Sequence, residues 1–432
     1  MTISSSLNAG VAGLAANATR LGSISDNIAN SATFGYKRVE TDFHAMVVGS
    51  GNGTYTAGGV RTSTLRLIDK SGPLVTTSNA TDLAVRGRGM LPVTPFASLR
   101  GGGEPPMLMT TTGSFNIDEL GYLKSSSNHV LLGWPAASDG SIPDQSRVSS
   151  AGLQPVRINF SQVIGQPTTA VDLLANLPAT ETIAGASGAP YELTVEYFDN
   201  LGVPYTIDAI FTPTVPATGA SNAWTLVLKD NAQGGTVIGN YTLTFDDTRG
   251  AGGTLLSVTA TTGGAYDPAA GTVTVNVAGG PITVNIGKIG TGGGMTQLSD
   301  IFSPIEVSQN GSAAGTLTTI DVDENGNIFA QFSTGLSRRL YQVPLVDVPN
   351  PNGLQALDGQ TYATSRTSGA FYLWNAGDGP TGEIVSYARE ESTTDIAAEL
   401  TGLITTQRAY SSNAKVIQTV DEMLQETANI KR

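Results

Sequence analysis

The sequence predicts a mainly β protein with an α-helix at each end and with one β domain inserted into another. Three observations predict this fold class. Apolar residues recur at spacings of three and four near both termini, which is typical of one face of a helix. Segments rich in β-branched and aromatic residues alternate with Gly, Pro, Asn and Asp from about residue 54 to 388. A Gly- and Thr-rich stretch from about 150 to 300 differs from the sequence on both sides of it.

The first predicted element is an N-terminal helix. Apolar or small residues follow one another at alternating spacings of four and three: Leu7, Val11, Leu14, Ala18, Leu21, Ser25 and Ile28. This heptad pattern describes one stripe along a helix of about 24 residues, which is about 36 Å long. A helix of that length is marginal in water by itself, so the stripe needs a partner.

A second helix is predicted at the C-terminus. Thr394 or Asp395 can cap its first turn, because either side chain can accept a hydrogen bond from a free backbone N–H group. The stripe that follows has similar spacings: Ile396, Leu400, Leu403, Gln407, Tyr410, Ala414, Ile417, Val420 and Leu424. The two helices can pair with each other, pack on the β body, or meet helices of other molecules.

The middle of the chain is predicted to form antiparallel sheets, because no helix-length period alternates with its strands. Alternating or β-branched segments lie at 191–198, 205–211, 224–228, 241–245, 255–259, 272–277 and 282–286. The predicted organisation is nested, with terminal helices at 1–30 and 393–432, connecting segments at 31–70 and 371–392, a core β domain at 71–148 and 301–370, and an inserted outer β domain at 149–300.

Composition excludes several classes of protein. The 432 residues include 23 Lys and Arg against 36 Asp and Glu, a formal net charge of −13, so neither nucleic acid nor an anionic membrane surface is an expected partner. No run approaches 18 apolar residues, and membrane insertion is not expected. Absent cysteine excludes disulfides, thiolate zinc sites and a thiol nucleophile. The first 19 residues lack the basic region of a signal peptide, so no cleaved signal is expected.

The best metal candidate is the segment 321–326, Asp-Val-Asp-Glu-Asn-Gly, which matches the first half of an EF-hand loop. Its twelfth position is Phe332 instead of Glu, and residues 327–332 alternate like a strand. A tight hairpin turn at Asn325-Gly326 is therefore the expected structure, and no metal is expected.

Catalytic and cofactor motifs are similarly weak. The glycine-rich segments 101–103 and 290–294 lack the Lys-Ser/Thr of a phosphate loop, so no cofactor is expected. A histidine base would have to be His44 or His129, and no Gly-x-Ser-x-Gly elbow supplies a nucleophile. Adjacent carboxylates occur at 118–119, 246–247 and 390–391, and on a strand each such pair would point to opposite faces. A glycan-acting enzyme whose carboxylates converge from distant segments stays an alternative.

Both ends also carry longer motifs. Residues 21–37, Leu-Gly-Ser-Ile-Ser-Asp-Asn-Ile-Ala-Asn-Ser-Ala-Thr-Phe-Gly-Tyr-Lys, resemble the N-terminal signature of bacterial flagellar rod and hook proteins. Residues 407–424, which begin Gln-Arg-Ala-Tyr-Ser-Ser-Asn, resemble their C-terminal signature. The positions that carry the resemblance are Asn27, Ile28, Ala29, Asn30, Thr33, Gly35, Tyr36, Lys37, Gln407, Arg408, Tyr410 and Asn413.

The middle of the chain favours the hook branch of this family. Residues 79–89 and 112–134 are similar to the family's core β domain, and residues 194–211 resemble the additional outer domain of hook proteins. Rod proteins generally lack so large an insertion. Two departures, at 90–92 and 110–112, replace aromatic and Arg positions of the family pattern and leave the fine packing of the core open.

The resemblance implies a structural part of the flagellum outside the cell. Such proteins are exported unfolded by the flagellar type III apparatus and polymerise into a short curved tube, a universal joint that transmits torque from rod to filament and encloses the export channel. Their terminal helices pair as a coiled coil that lines this channel. The implied partners are further copies, the rod, the hook cap, the hook–filament junction proteins and the export apparatus. The two stripes are then expected to be the assembly seam.

Other functions remain as alternatives at this point. A distal rod protein would share both terminal motifs and form straight tubes. An adhesin would stay monomeric with ordered ends, and a glycan-acting enzyme would depend on particular carboxylates.

Overall fold

The computed structural model describes residues 3–46, 58–100, 105–137, 140–160 and 163–430. Its contacts divide the chain into two compact units. The first unit consists of Met1–Asn159, Thr319–Gln331 and Ser337–Arg432, and the second consists of Phe160–Thr318 and Phe332–Leu336. The second unit interrupts the first along the chain, which confirms the discontinuous organisation of the predicted fold class.

Two long helices occupy the ends of the chain, as the spacing of apolar residues predicts. Helix α1 spans Ile3–Ala29 and helix α2 spans Ile396–Ile430. Asp395 caps α2, because its Oδ1 accepts hydrogen bonds from the backbone N–H groups of Ala397 at 2.9 Å and Ala398 at 3.2 Å. Within the described residues, no helix is long and apolar enough to cross a membrane.

Short strands joined by turns and loops lie between the two helices. Those before residue 160 are β1 Val39–Ala45, β2 Val60–Arg66, β3 Leu74–Thr76, β4 Asp82–Arg86, β5 Leu91–Pro95, β6 Leu108–Thr110, β7 Thr112–Ile117, β8 Leu123–Ser125, β9 His129–Pro135 and β10 Gln154–Pro155. Those from 160 to 311 are β11 Val163–Gln166, β12 Ala170–Leu177, β13 Tyr191–Phe198, β14 Pro204–Pro213, β15 Ala223–Asp230, β16 Thr236–Phe245, β17 Leu255–Thr262, β18 Thr272–Val277, β19 Gly280–Asn285, β20 Thr296–Gln297 and β21 Ser303–Gln309.

The remaining strands lead back to α2. They are β22 Ser312–Val322, β23 Asn327–Phe332, β24 Ser337–Gln342, β25 Leu345–Asp347, β26 Gln355–Leu357, β27 Thr361–Ala363, β28 Tyr372–Trp374, β29 Glu383–Ser386 and β30 Ala388–Glu390. Short 3-10 helices lie at Phe96–Arg100, Ala179–Thr182, Asn231–Gln233 and Pro351–Gly353. The predicted connecting segments therefore contain strands of their own, β1 and β2 on one side and β28 to β30 on the other.

In the first unit, short antiparallel strands surround a compact apolar core. Strand β9 is central and pairs with β5, β8, β10 and β24. Strand β4 pairs with β7 and β29, and β3 pairs with β30. The core contains Trp134, Tyr362, Met109 and Leu373, each at most 2% exposed. Residues from both halves of the unit contribute, so neither half can bury this core alone.

The second unit has its own core between two sheets. Strands β13 to β17 form an antiparallel meander, and β18, β19, β12 and β20 form a second sheet in which β21 also pairs with β12. The large buried side chains include Trp224, Tyr197, Tyr241 and Phe211. The strands predicted between 191 and 286 are all present, and they pair antiparallel within β13 to β17 and between β18 and β19. Strand β12 differs, because it pairs in parallel with β19 and β20.

The segment that resembles a calcium loop forms a turn between β22 and β23. The Asp323 carbonyl accepts a hydrogen bond from Gly326 N at 3.0 Å, and Asp323 Oδ1 accepts one from Asn327 N at 2.7 Å. Gly326 has a φ of 78°, and a methyl group there would lie 2.3 Å from the Val343 carbonyl oxygen. The predicted hairpin turn is confirmed, and the Asp323 carboxylate serves to close it.

Candidate functional site: the terminal helix pair and its junction with the β core

Helices α1 and α2 pack against each other in opposite directions. Asn27 near the end of α1 donates from Nδ2 to Glu399 Oε1 at the start of α2, at 3.1 Å. Towards the other end of the pair, a methyl group added at Gly13 would lie 2.8 Å from Asn413 Nδ2, and one at Gly10 would lie 3.1 Å from Ile417 Cγ1. Residue numbers at these contacts fall along α1 as they rise along α2, so the pair is antiparallel.

The buried face of the pair is made mainly of small and polar residues, and Ile24 and Val420 are its larger apolar members. On α1 it includes Gly10, Gly13, Ala16, Asn17, Ile24 and Asn27, and on α2 it includes Glu399, Thr406 and Val420. The two glycines bring the backbones close together, as small residues do at other helix crossings. Asn17 donates its amide to the Gly13 carbonyl at 2.8 Å, so its buried polar group is satisfied.

The predicted stripes lie beside this buried face. Val11 follows Gly10 by one residue and Leu14 follows Gly13. On α2, Leu403 follows Gly402, where an added methyl group would lie 3.5 Å from Ile24 Cδ1 of α1. One residue corresponds to a rotation of about 100°. Because the helices run in opposite directions, this rotation turns both stripes towards the same side of the pair.

Together the stripes form one surface, which we call the apolar face. Of its residues, Leu7, Leu14, Leu21, Ile28, Leu403 and Ile417 are half-buried, whereas Val11, Ile396, Leu400, Tyr410 and Leu424 are exposed. Val11 is 52% exposed and Ile396 is 49% exposed, which is a large exposure for apolar side chains on adjacent helices. The structure thus brings the two stripes together and leaves their residues half-buried or exposed, except for Val420, which is 3% exposed.

The β1–β2 hairpin covers the opposite side of α1. Ser23 Oγ lies 2.6 Å from Thr41 Oγ1, and a methyl group added at Gly59 would lie 3.1 Å from Ala12 Cβ. Ser23 and Ala12 each precede a buried position of α1 by one residue, Ile24 and Gly13. The same rotation rule places them on the side away from the apolar face.

The family-motif residues at the end of α1 join the helix pair to β1. Asn27 is 1% exposed and exchanges two hydrogen bonds of 2.8 Å with the backbone of Val39. Arg38 donates from Nε to Glu399 Oε1 at 2.5 Å. Glu399 therefore accepts hydrogen bonds from Asn27 of α1 and from Arg38 of the following segment. These two bonds fix the start of α2 relative to α1 and to that segment.

Lys37 and Glu390 form a buried ion pair below this junction. Lys37 Nζ lies 2.7 Å from Glu390 Oε1, and each residue is 1% exposed. Lys37 also donates to the Lys70 carbonyl at 2.6 Å, and Gly72 N donates to Glu390 Oε1 at 2.6 Å. This pair ties together β30 and the segments before β1 and β3. Glu391, the next residue, is exposed, so this pair of adjacent carboxylates points to opposite faces as predicted.

Two further motif residues pack beside the ion pair. Tyr36 donates its hydroxyl to Asp26 Oδ2 at 2.9 Å and to Asn27 Oδ1 at 3.1 Å. Burial, together with the hydrogen bond to Asp26, raises the pKa of Tyr36 to about 12. Gly35 has a φ of 72°, and a methyl group there would lie 2.9 Å from Thr112 Cγ2. A larger residue would therefore be strained at this position.

The remaining motif residues lie in the two helices and the turn after α1. Asn30 donates to the Asp26 carbonyl at 2.9 Å and accepts from Thr33 Oγ1 at 3.3 Å, which closes the turn. Ala29, Gln407 and Arg408 are exposed, and Asn413 is half-buried against α1. The junction residues missing from the sequence-based set include Glu390 and Glu399, whose partners lie more than 350 positions away.

The described residues contain no group of three or more His, Asp or Glu side chains placed to hold a metal ion. The two histidines contact nearby serines. His44 Nε2 lies 2.8 Å from Ser63 Oγ across the β1–β2 hairpin, and His129 Nδ1 lies 3.1 Å from Ser127 Oγ in the turn before β9. Burial lowers the pKa of His129.

Two family models match the C-terminal motif and the middle of the chain. The family model described as flagellar basal body rod FlgEFG protein C-terminal matches residues 386–430. The model described as flagellar basal body protein FlaE D2 domain matches residues 169–312. A solved structure, that of the Helicobacter pylori flagellar hook protein FlgE2, aligns with a TM-score of 0.48 and 14% identity over 74% of this chain and 99% of that chain.

Similar curated sequences extend over the whole length. The flagellar hook protein FlgE of Brucella suis biovar 1 is 34% identical, and that of Rhizobium meliloti is 32% identical, each over 100% of both chains. The protein of the same name from Salmonella typhimurium is 26% identical over 99% of this chain and 100% of its own. The chain belongs to the flagellar hook protein family.

Proposed function

We propose that this chain is a structural subunit of the flagellar hook, which polymerises through the apolar face of its terminal helices into a curved, flexible tube outside the cell. The single observation that carries this proposal is the pairing of two apolar stripes on one side of α1 and α2. The tube acts as a universal joint between rod and filament and encloses the export channel. The role is structural and not catalytic.

The energetics of the apolar face favour assembly over an isolated subunit. Full burial of a Leu or Ile side chain contributes about 1.5–3 kcal/mol, and several such side chains are exposed here. Within one subunit, α1 and α2 use their small and polar face to meet each other, so the apolar face is left for neighbouring subunits. Contacts between different surfaces of successive copies generate an open helix, which is the symmetry of a tube.

The second unit supplies the proposed outer domain. The D2 family model lies within it, and its apolar core is enclosed between its own sheets. A body of this kind keeps its fold while its contacts with other subunits change during rotation. The rod, the hook cap, the hook–filament junction proteins and the export apparatus are the further partners that this role requires.

A charge placed on the apolar face tests the proposal. Leu14→Asp and Leu403→Asp should each prevent tube formation, because assembly would then bury an unpaired carboxylate. Ser412→Asp is the matched control, since Ser412 is exposed and lies on the side of α2 away from the stripe. Electron microscopy of the concentrated proteins, with near-ultraviolet circular dichroism to check the fold, gives the comparison.

The outcomes separate the alternatives. Curved hollow tubes from the unaltered chain and from Ser412→Asp, but not from the two leucine variants, support the proposal. Straight tubes would instead indicate a distal rod protein. Tubes from Leu14→Asp and Leu403→Asp that match those of the unaltered chain would show that the apolar face is not the assembly surface.

A further inference from the structure

A cavity of about 290 Å³ lies above the buried ion pair of the first unit. Its floor contains Lys37, Glu390 and Thr111, and apolar side chains such as Val85, Met90 and Val346 form its walls. The assembly proposed above uses the terminal helices and assigns no role to this cavity.

Two polar side-chain atoms on the cavity floor have no hydrogen-bond partner among the described residues. These are Glu390 Oε2 and Thr111 Oγ1. Glu390 is 1% exposed and Thr111 is 7% exposed, so bulk water does not reach them freely. A buried polar atom without a partner is costly, and a bound group that hydrogen-bonds both atoms would remove that cost.

The charged residues around the cavity favour an uncharged ligand. The ammonium of Lys37 lies 2.7 Å from Glu390 Oε1 and would repel a cation that approached the carboxylate. The same carboxylate would repel an anion. At the mouth, Arg88 Nε lies 2.6 Å from Asp347 Oδ1. Asp69 also lines the cavity, and its Oδ2 lies 3.9 Å from Lys70 Nζ, so each of these carboxylates has a cation beside it. An uncharged donor is the group that meets no repulsion on this floor.

We propose that this cavity binds a primary carboxamide carried on a short aliphatic stem. The amide N–H₂ donates to Glu390 Oε2, and the amide carbonyl accepts from the Thr111 hydroxyl. The stem lies along Val85, Met90 and Val346. A primary amide matches the floor because it offers a donor and an acceptor side by side, and the stem matches the apolar walls.

Methionine-methyl NMR on the full chain with butyramide as the probe tests this site. The Met90 methyl signal, assigned with Met90→Leu, should shift as butyramide is added, with a Kd in the millimolar range expected for so small a ligand. The signal of Met295, which lies in the core of the second unit, is the internal control. Butylammonium and butyrate have the same stem with a charge and should leave Met90 unshifted.

A pair of matched variants tests the hydrogen bond. Thr111→Val keeps the shape of the side chain and removes the hydroxyl, and it should weaken butyramide binding by about 2- to 10-fold. Thr94→Val is the control, because Thr94 Oγ1 is also buried without a partner and Thr94 does not line the cavity. An unshifted Met90 signal, equal binding of the charged analogues, or equal affinity of both variants would each overturn the proposal.

The amide can belong to a free molecule or to an Asn or Gln side chain of another copy, and protein concentration distinguishes these sources. If Met90 shifts in the protein alone as its concentration rises, and butyramide then binds more weakly, the second copy supplies the amide. If dilute and concentrated protein bind butyramide equally, the ligand is a free molecule.

Discussion

Lys37 and Glu390 show how a family motif acts through one buried contact. Lys37→Met should lower the free energy of unfolding of the first unit by about 3–5 kcal/mol, because the Glu390 carboxylate would be left buried without its counter-charge. Lys70→Met is the matched control. Lys70 lies 3.9 Å from Asp69 with its side chain 67% exposed, so its loss should cost at most about 1 kcal/mol.

Tryptophan fluorescence during urea unfolding measures this difference. In a Trp224→Phe background the remaining tryptophans, Trp134 and Trp374, both lie in the first unit. Equal midpoints for the Lys37 and Lys70 variants would show that the buried pair contributes little.

Tyr36 gives the junction a dependence on alkaline pH. Its folded-state pKa is about 12, against about 10 in an unfolded chain. As pH rises above about 10 the unfolded state loses its proton first, so stability is present below pH 10 and is lost as pH approaches 12. Tyr36→Phe lacks this proton and should lose less stability, by at most about 2 kcal/mol, between pH 9 and 11. Urea unfolding at pH 9 and pH 11 measures this. An equal loss of unfolding free energy in both proteins would contradict the prediction.

The sequence predicts which residues of the junction matter better than it predicts their roles. Asn27, Tyr36 and Lys37 stand in the N-terminal motif, and all three are buried there. Their partners Glu390 and Glu399 could not be paired with them, because the contacts join positions more than 350 residues apart. Strand alternation did predict the opposite directions of Glu390 and Glu391, since that property is local.

At the scale of elements, two glycines of α1 should respond in opposite ways to alanine. Gly22 is exposed and a methyl group there meets no atom within 4 Å, so Gly22→Ala should stabilise the helix by about 0.5–1 kcal/mol. In Gly10→Ala the new methyl would lie 3.1 Å from Ile417 Cγ1 and push the helices apart. Thermal melting of the helical circular dichroism signal should rise for the first variant and fall for the second. Equal shifts would indicate that Gly10 does not set the helix separation.

Heptad spacing predicts both helices and both stripes, but not the face through which α1 meets α2. That face includes Gly10, Gly13, Glu399 and Asn413. These residues are small or polar, so the spacing of apolar residues does not identify them. Close backbone approach and polar contacts decide the pairing, and both depend on the partner helix. The stripes as intermolecular seams accordingly stay a prediction.

At the scale of the whole molecule, the second unit should fold without the first. Its core residues, from Val171 to Met295, all lie within the unit itself. A fragment of residues 160–318 contains Trp224 as its single tryptophan, and this side chain is fully buried. We expect a cooperative urea transition with a shift of Trp224 fluorescence to longer wavelength. A gradual change without a transition would show that the unit depends on the rest of the chain.

The antiparallel pairing of the two ends also determines when a subunit becomes complete. Asn27 and Glu399, which form a hydrogen bond, are 372 positions apart in the sequence. The chain is synthesised from its N-terminus. Helix α1 must therefore wait for the last helix before it can pair. A prematurely terminated chain that lacks α2 would carry only one of the two stripes. Under the proposed assembly such a fragment would lack half of the seam, so a subunit can join the tube only after its last helix has been made.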